Sequence, residues 1–117
     1  MKILVLEDDP VSLKKISHDL INFGHEVLEA ADSVEALNLY YDNSNDVELV
    51  ITDLEMPFGS GEDFVANIRT LQPKLPIIVI SGTVNKSSIL KLKKHKIKDI
   101  LVKPHDKNRL KSLIDAL

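Results

Sequence analysis

The chain has 117 residues, 44% of them hydrophobic and 28% charged, with a formal net charge of −3 and no cysteine. That length and balance suit one globular domain with a real core, while the missing cysteines exclude disulfide frameworks, thiolate metal sites and cysteine nucleophiles. Apolar runs of a few residues are far too short to span a membrane, and no leader-like segment precedes the first of them, so a cytoplasmic domain is expected. The charge is unevenly spread: residues 1–80 carry five basic and fifteen acidic side chains, residues 81–117 ten basic and three acidic.

Ile3-Leu4-Val5-Leu6 has the continuous apolar pattern of a strand covered on both faces, and it runs directly into Glu7-Asp8-Asp9-Pro10. Asp9 before Pro10 suits a helix N-cap with proline at the first helical position. Glu7 and Asp8 have no such structural role. Leu13, Ile16, Leu20 and Phe23 recur at helical spacing, with Gly24 where a C-terminal cap belongs. A short strand fits Glu26 to Ala30. Asp32 and Glu35 form a capping pair for a helix carrying Val34, Leu37 and Tyr40 or Tyr41, and Asp42 to Asp46 read as a polar loop.

Leu49-Val-Ile-Thr is a β-branched run that reads as a buried strand ending on one carboxylate, Asp53. Pro57, Gly59 and Gly61 then impose a loop, and Ser60 with Asp63 has the spacing of a capping box for a helix starting near Gly61. Phe64, Val65, Ile68 and Leu71 supply that helix with its apolar stripe, which Pro73 ends. Ile77 to Ile80 form another apolar strand, closing on Ser81-Gly82. Asn85 caps a lysine-rich helix whose apolar side is Ile89, Leu90 and Leu92. Asp99 to Val102 is a brief strand ending on Lys103-Pro104, and Leu110, Leu113, Ile114 and Leu117 mark a last amphipathic helix.

Strand then helix, five times over, predicts an α/β fold: a five-stranded parallel sheet with helices on both faces, one domain over residues 1–117. In a parallel sheet, Glu7, Asp8, Asp53, Ser81 and Lys103 all stand at one edge. Taken singly, Asp53 reads as a strand terminator, Ser81 as a turn residue and Lys103 as a solvated loop lysine; their shared placement points to chemistry. Two carboxylates about 4 Å apart repel by roughly 4 kcal/mol at an effective dielectric near 20, so three must be partly protonated, hold a cation or strain the fold. Hard oxygen ligands favour Mg²⁺ or Mn²⁺, and with a lysine and a hydroxyl added the cluster suits phosphoryl transfer onto a carboxylate.

Taken together, Ile-Leu-Val-Leu-Glu7-Asp8-Asp-Pro, Thr-Asp53-Leu-Glu-Met-Pro57 with Gly61, Ile-Ser81-Gly82 and Val-Lys103-Pro104 resemble the receiver domain of two-component response regulators, over residues 2 to 117. The resemblance implies a flavodoxin-like (βα)5 fold with no effector domain in this chain. It implies that Asp53 is the phosphoacceptor, taking its phosphoryl group from a phosphohistidine of a sensor kinase or histidine phosphotransfer protein. It further implies Mg²⁺ on Asp8, Asp53 and the carbonyl of Glu55, with Glu7 holding metal-bound water. Lys103 would pair with phosphoryl oxygens, the Ser81 hydroxyl would move to bond them, and the Lys103–Pro104 bond would be cis. Such a domain catalyses its own phosphorylation and dephosphorylation without being a conventional enzyme.

Two positions depart from the family pattern. Ile100 stands where a rotamer-switching aromatic is usual, and Lys96-Ile97 where Gly-Ala is usual. The chemistry is expected to survive both, while the route to the last helices is put in doubt. Lys86, Lys91, Lys93, Lys94, Lys96 and Lys98 form either a plain solvated face or a surface for an acidic protein partner or for self-association. Direct nucleic-acid binding is not expected, given the negative net charge and the lack of interleaved aromatics. Two other readings fit parts of the pattern: a phosphorylation-independent receiver-like binding module, and a Toprim-like metal-dependent nucleic-acid enzyme, which leaves Ser81 and Lys103-Pro104 unexplained.

Overall fold

The computed structural model describes residues 1–56 and 60–117, without the side chain of Ser60. Five strands alternate with five helices: β1 (Lys2–Leu6), α1 (Pro10–Asn22), β2 (Glu26–Ala30), α2 (Ser33–Asp42), β3 (Val47–Thr52), α3 (Ser60–Leu71), β4 (Ile77–Ser81), α4 (Lys86–Lys94), β5 (Asp99–Val102) and α5 (Lys107–Asp115). All strand pairs are parallel, in the order β2-β1-β3-β4-β5.

The continuous apolar runs of β1, β3 and β4 are explained by burial on both sides, with successive side chains alternating between faces. Ile3, Val5, Leu49, Ile51, Ile78 and Ile80 pack with Ile16 and Leu20 of α1 and Leu110 and Ile114 of α5. Leu4, Leu6, Val50, Ile77 and Val79 pack on the opposite face with α2, α3 and α4 through Ala36, Tyr40, Phe64, Val65, Ile68 and Leu92. Edge strand β2 instead exposes Glu26 and Glu29. The acids of β2 and α2 therefore line one flank of the sheet, and the lysines of α4 and the approach to β5 line the other.

Helix boundaries follow the capping chemistry. Asp9 accepts from the Val11 N–H with Pro10 at the first helical position, and Gly24 follows α1 at φ +93°. The Asp32 carboxylate accepts from Glu35 N–H at 2.8 Å. Asn85 and Ser88 make a reciprocal capping box, and Asp106 caps α5. Several residues of the expected apolar stripes are exposed: Val34, Leu71, Ile89, Leu90 and Leu117. On α4 only Leu92 among the three apolar residues is buried, since a nine-residue helix lying over one sheet face can turn only a narrow stripe inward.

α3 begins where the sequence placed it, near Gly61, which lies in the helix's first turn and is buried. A Cβ there would collide with the backbone carbonyl of Asp53 and stand 3.2 Å from the Leu54 Cα. The glycine is thus required by close packing of one backbone against another, at the residue that ends β3. The loop expectations for Pro57 and Gly59, and the capping role of Ser60, lie outside the described residues.

The end of α4 shows what replaces the family's usual glycine. Lys96 adopts φ +57°, its N–H bonds to the Lys93 carbonyl and the Ile97 N–H bonds to the Leu92 carbonyl. These are the two bonds of a Schellman motif, completed by the apolar contact of buried Ile97 and Leu92. Arg69 closes the same corner, donating to the carbonyls of His95 at 2.7 Å and Leu75 at 2.6 Å.

Two outcomes are expected. Lys96→Gly removes the left-handed strain of a side-chain-bearing residue and raises stability by about 0.5–1 kcal/mol after the added chain entropy of glycine, read as a higher melting temperature. Gly61→Ala drives a methyl into the Asp53 carbonyl and lowers stability by about 1–3 kcal/mol, read by urea denaturation.

Candidate functional site

The carboxyl ends of all five strands share one edge. Beside β1 the strand order turns, with β2 on one side and β3 on the other, which opens a crevice between the ends of β1 and β3. Glu7 and Asp8 follow β1 there, and Asp53 follows β3. Glu7 prolongs the pairing with β2 through its N–H to the Ala30 carbonyl at 3.0 Å and is only 1% exposed.

Lys103, two strands away, reaches back into this crevice. Its ammonium pairs with the Glu7 carboxylate and lies 3.2 Å from Asp53 Oδ2, joining residues 50 positions apart. Asp53 is buried, and its other oxygen, Oδ1, accepts from the Glu55 N–H at 2.8 Å. Burial pushes the Glu7 carboxyl above its ordinary range; Lys103 and the Asp9 N–H oppose that rise and the adjoining Asp8 carboxyl adds to it. For Lys103 burial would lower the pKa, but the two carboxylates outweigh it and the ammonium is held charged.

The remaining expected residues are arranged around this core. Asp8 is exposed at the rim. Ser81 is 1% exposed and its hydroxyl is turned onto its own loop, donating to the Thr83 carbonyl at 3.0 Å and accepting from the Thr83 N–H at 3.2 Å. The Ser81 carbonyl takes the Lys103 N–H at 2.8 Å, which ties the ends of β4 and β5 together. The Lys103–Pro104 bond is cis. The Glu55 side chain pairs with Lys91 of α4 at 3.4 Å, and Lys91 also approaches Glu62 of α3 at 3.7 Å.

This donor set fits a hard divalent cation. It is all oxygen, and three carboxylates against one ammonium leave two formal negative charges. Among the described residues the buried Glu7 Oε1 has no hydrogen-bond partner beyond its ion pair with Lys103. Among the described residues no three acidic or histidine side chains form a ready cage. Mg²⁺ usually keeps several waters and takes only one or two carboxylates from the protein.

One pair next to the site escaped the sequence reading. His105, two residues after Lys103, puts Nε2 2.8 Å from Asp19 Oδ2 in α1, and both residues are buried. The signal was present in the helical spacing, since Asp19 falls on the same stripe as Ile16, Leu20 and Phe23. An acid on a buried face needs a partner.

Comparison with known proteins agrees with this fold. The model of the response regulator receiver domain family matches residues 3–115. The Regulator of RpoS of Escherichia coli K12 is 34% identical over 116 residues, covering 98% of this chain and 34% of that protein. The chemotaxis protein CheY homolog of Campylobacter jejuni is 32% identical, covering 98% of this chain and 90% of that protein. Most of the curated relatives are longer proteins, of which the chain spans 16% to 34% in several cases. Among solved structures, Vibrio cholerae CheY4 superposes with a TM-score of 0.88 at 28% identity, covering 99% of this chain and 98% of that one. A response regulator receiver domain from Clostridium thermocellum gives 0.88 at 33% identity, covering 98% and 91%. The family model covers nearly the whole chain and the solved relatives share its five-stranded fold, so the chain belongs to the receiver domain family of two-component response regulators.

Proposed function

We propose that residues 1–117 act as a single receiver domain in which Asp53 accepts a phosphoryl group from a phosphohistidine of a sensor kinase or histidine phosphotransfer protein. The observation that carries this reading is the part-buried contact between Asp53 and Lys103, set at the ends of β3 and β5. A carboxylate oxygen of Asp53 attacks phosphorus in line, the P–N bond breaks, and the imidazole leaves with the bonding electron pair. Lys103, already charged and aimed at Asp53, offsets charge on the transferring phosphoryl oxygens. Ser81 can exchange its bonds to Thr83 for one to a phosphoryl oxygen by rotating its hydroxyl.

Receiver domains generally depend on Mg²⁺. In this chain Asp8, Asp53 and the Glu55 carbonyl would hold it, with Glu7 acting through water, and Mn²⁺ would serve as well. When bound, the ion supplies charge neutralisation at the phosphoryl group. In dephosphorylation water attacks phosphorus, the P–O bond to Asp53 breaks, and inorganic phosphate is released, which returns Asp53 to its carboxylate. No helix among the described residues is long and apolar enough to cross a membrane, in keeping with a cytoplasmic domain. On α4, Lys86, Ile89, Leu90 and Lys93 recur at i, i+3, i+4 and i+7 and are all exposed, which supports an acidic partner, or a second copy, on that face. The family match leaves the nuclease reading without support.

Incubation with acetyl phosphate and Mg²⁺ is expected to add one phosphoryl group to the intact mass. Asp53→Asn and chelation should each abolish the gain. If native protein takes up none, the domain is a phosphorylation-independent binding module instead. Mg²⁺ at a hundred times its Kd is expected to stabilise the native protein by about 2.7 kcal/mol, several degrees of melting temperature, and Asp53→Asn by much less. Equal shifts in the two proteins would count against Asp53 as a ligand.

A further inference from the structure

We infer that His105 and Asp19 form a positioning pair that sets where Lys103 stands relative to Glu7 and Asp53, an inference that rests on the phosphoacceptor reading above. The argument starts from the sheet. β1 and β5 are not neighbours, since β3 and β4 lie between them. No single backbone ladder therefore sets the distance from the end of β1, which carries Glu7, to the end of β5, which carries Lys103; three successive ladders relate them. That distance also depends on the covering layer, where α1 leaves the Glu7 loop and α5 follows the Lys103 loop on the same face.

Apolar packing between those elements is non-directional and fixes no register by itself. Among the described residues, the His105–Asp19 contact is the one hydrogen bond between α1 and residues 103–117. It is 2.8 Å long and lies within the core, where such a bond is strongest and its loss most costly. The four-residue loop from Lys103 to Asp106 is then held at three points. The Lys103 N–H bonds to Ser81 of β4, the His105 ring to Asp19 of α1, and the Asp106 carboxylate to the first turn of α5. Only the second of these refers the lysine to the side of the sheet that carries Glu7. Lys15 donates to the same carboxylate oxygen, Asp19 Oδ2, at 3.3 Å, so two partners converge on it. Burial would raise the Asp19 pKa, but His105 and Lys15 outweigh it and keep the acid ionised.

The test compares phosphorylation by acetyl phosphate in native protein, His105→Gln, His105→Phe, and the apolar double variant His105→Phe with Asp19→Leu. Rate at saturating donor and Mg²⁺, half-saturating Mg²⁺ and melting temperature are read for each. His105→Phe is expected to lose roughly tenfold or more in rate with little change in half-saturating Mg²⁺, because a misplaced lysine affects the transferring group. His105→Gln, which keeps a donor, should recover much of the rate. The double variant buries no unpaired acid and should regain melting temperature, yet remain slow. A rate that follows melting temperature across the four proteins overturns the inference and leaves the pair a stability contact. Equal rates in all four overturn it as well. No phosphoryl uptake by native protein would instead defeat the phosphoacceptor reading itself.

Discussion

The Lys103 ammonium lies between the carboxylates of Glu7 and Asp53, and withdrawing these three groups from water is tolerable only because they meet. An isolated buried charge costs several kcal/mol, and removing one partner from such a cluster strands the others. The rest of the fold serves that meeting. Continuous apolar strands hold the acids at one edge, the Ser81 carbonyl fixes the start of the lysine's loop, and Gly61 lets α3 press directly against the backbone of Asp53. With exposed Asp8 beside it, the cluster remains two formal charges too negative. That surplus gives a site in which one ammonium is in place before any ligand arrives and whose balance a divalent ion would complete.

Much of this was legible in the sequence, and the reasons are local. The bounds of β2, the caps at Asp9, Asp32 and Asn85, and the strands ending on Asp53 and Ser81 each follow from a few adjacent residues. The convergence of Glu7, Asp53 and Lys103 followed from topology alone, because parallel strands must end on one edge. What could not be read depends on distances between elements that the chain order does not encode. The close packing at Gly61 was not legible, since no spacing rule reveals that another backbone lies against it. Ile89 and Leu90 looked like core because a short helix offers several apolar stripes and only packing selects among them. Asp19 could have been found, standing among Ile16, Leu20 and Phe23 with no local reason for its charge.

The departure at Ile100 gains meaning from its surroundings. Ile100 is partly buried against the cluster formed by α2, α3 and α4, as a packing residue with no polar end to exchange. The links between the site loop and α4 are instead ionic: Lys91 joins Glu55 and Glu62, and His95 lies 3.1 Å from the same Glu62. Glu55 donates its N–H to Asp53, so one chain of polar contacts runs from the Asp53 carboxylate to the helix that bears exposed Lys86, Lys93 and Lys94.

The separation of acids on β2 and α2 from lysines on α4 gives the domain an electric moment directed across its sheet. A uniformly charged sphere of net −3 would be attracted or repelled as a whole, but a molecule polarised in this way is also turned. In the field of a charged protein it rotates before contact, so that part of the orientational search is completed at a distance. The torque reaches about a Debye length, roughly 8 Å at physiological ionic strength. Salt would therefore slow productive encounters by loosening alignment as well as by weakening attraction.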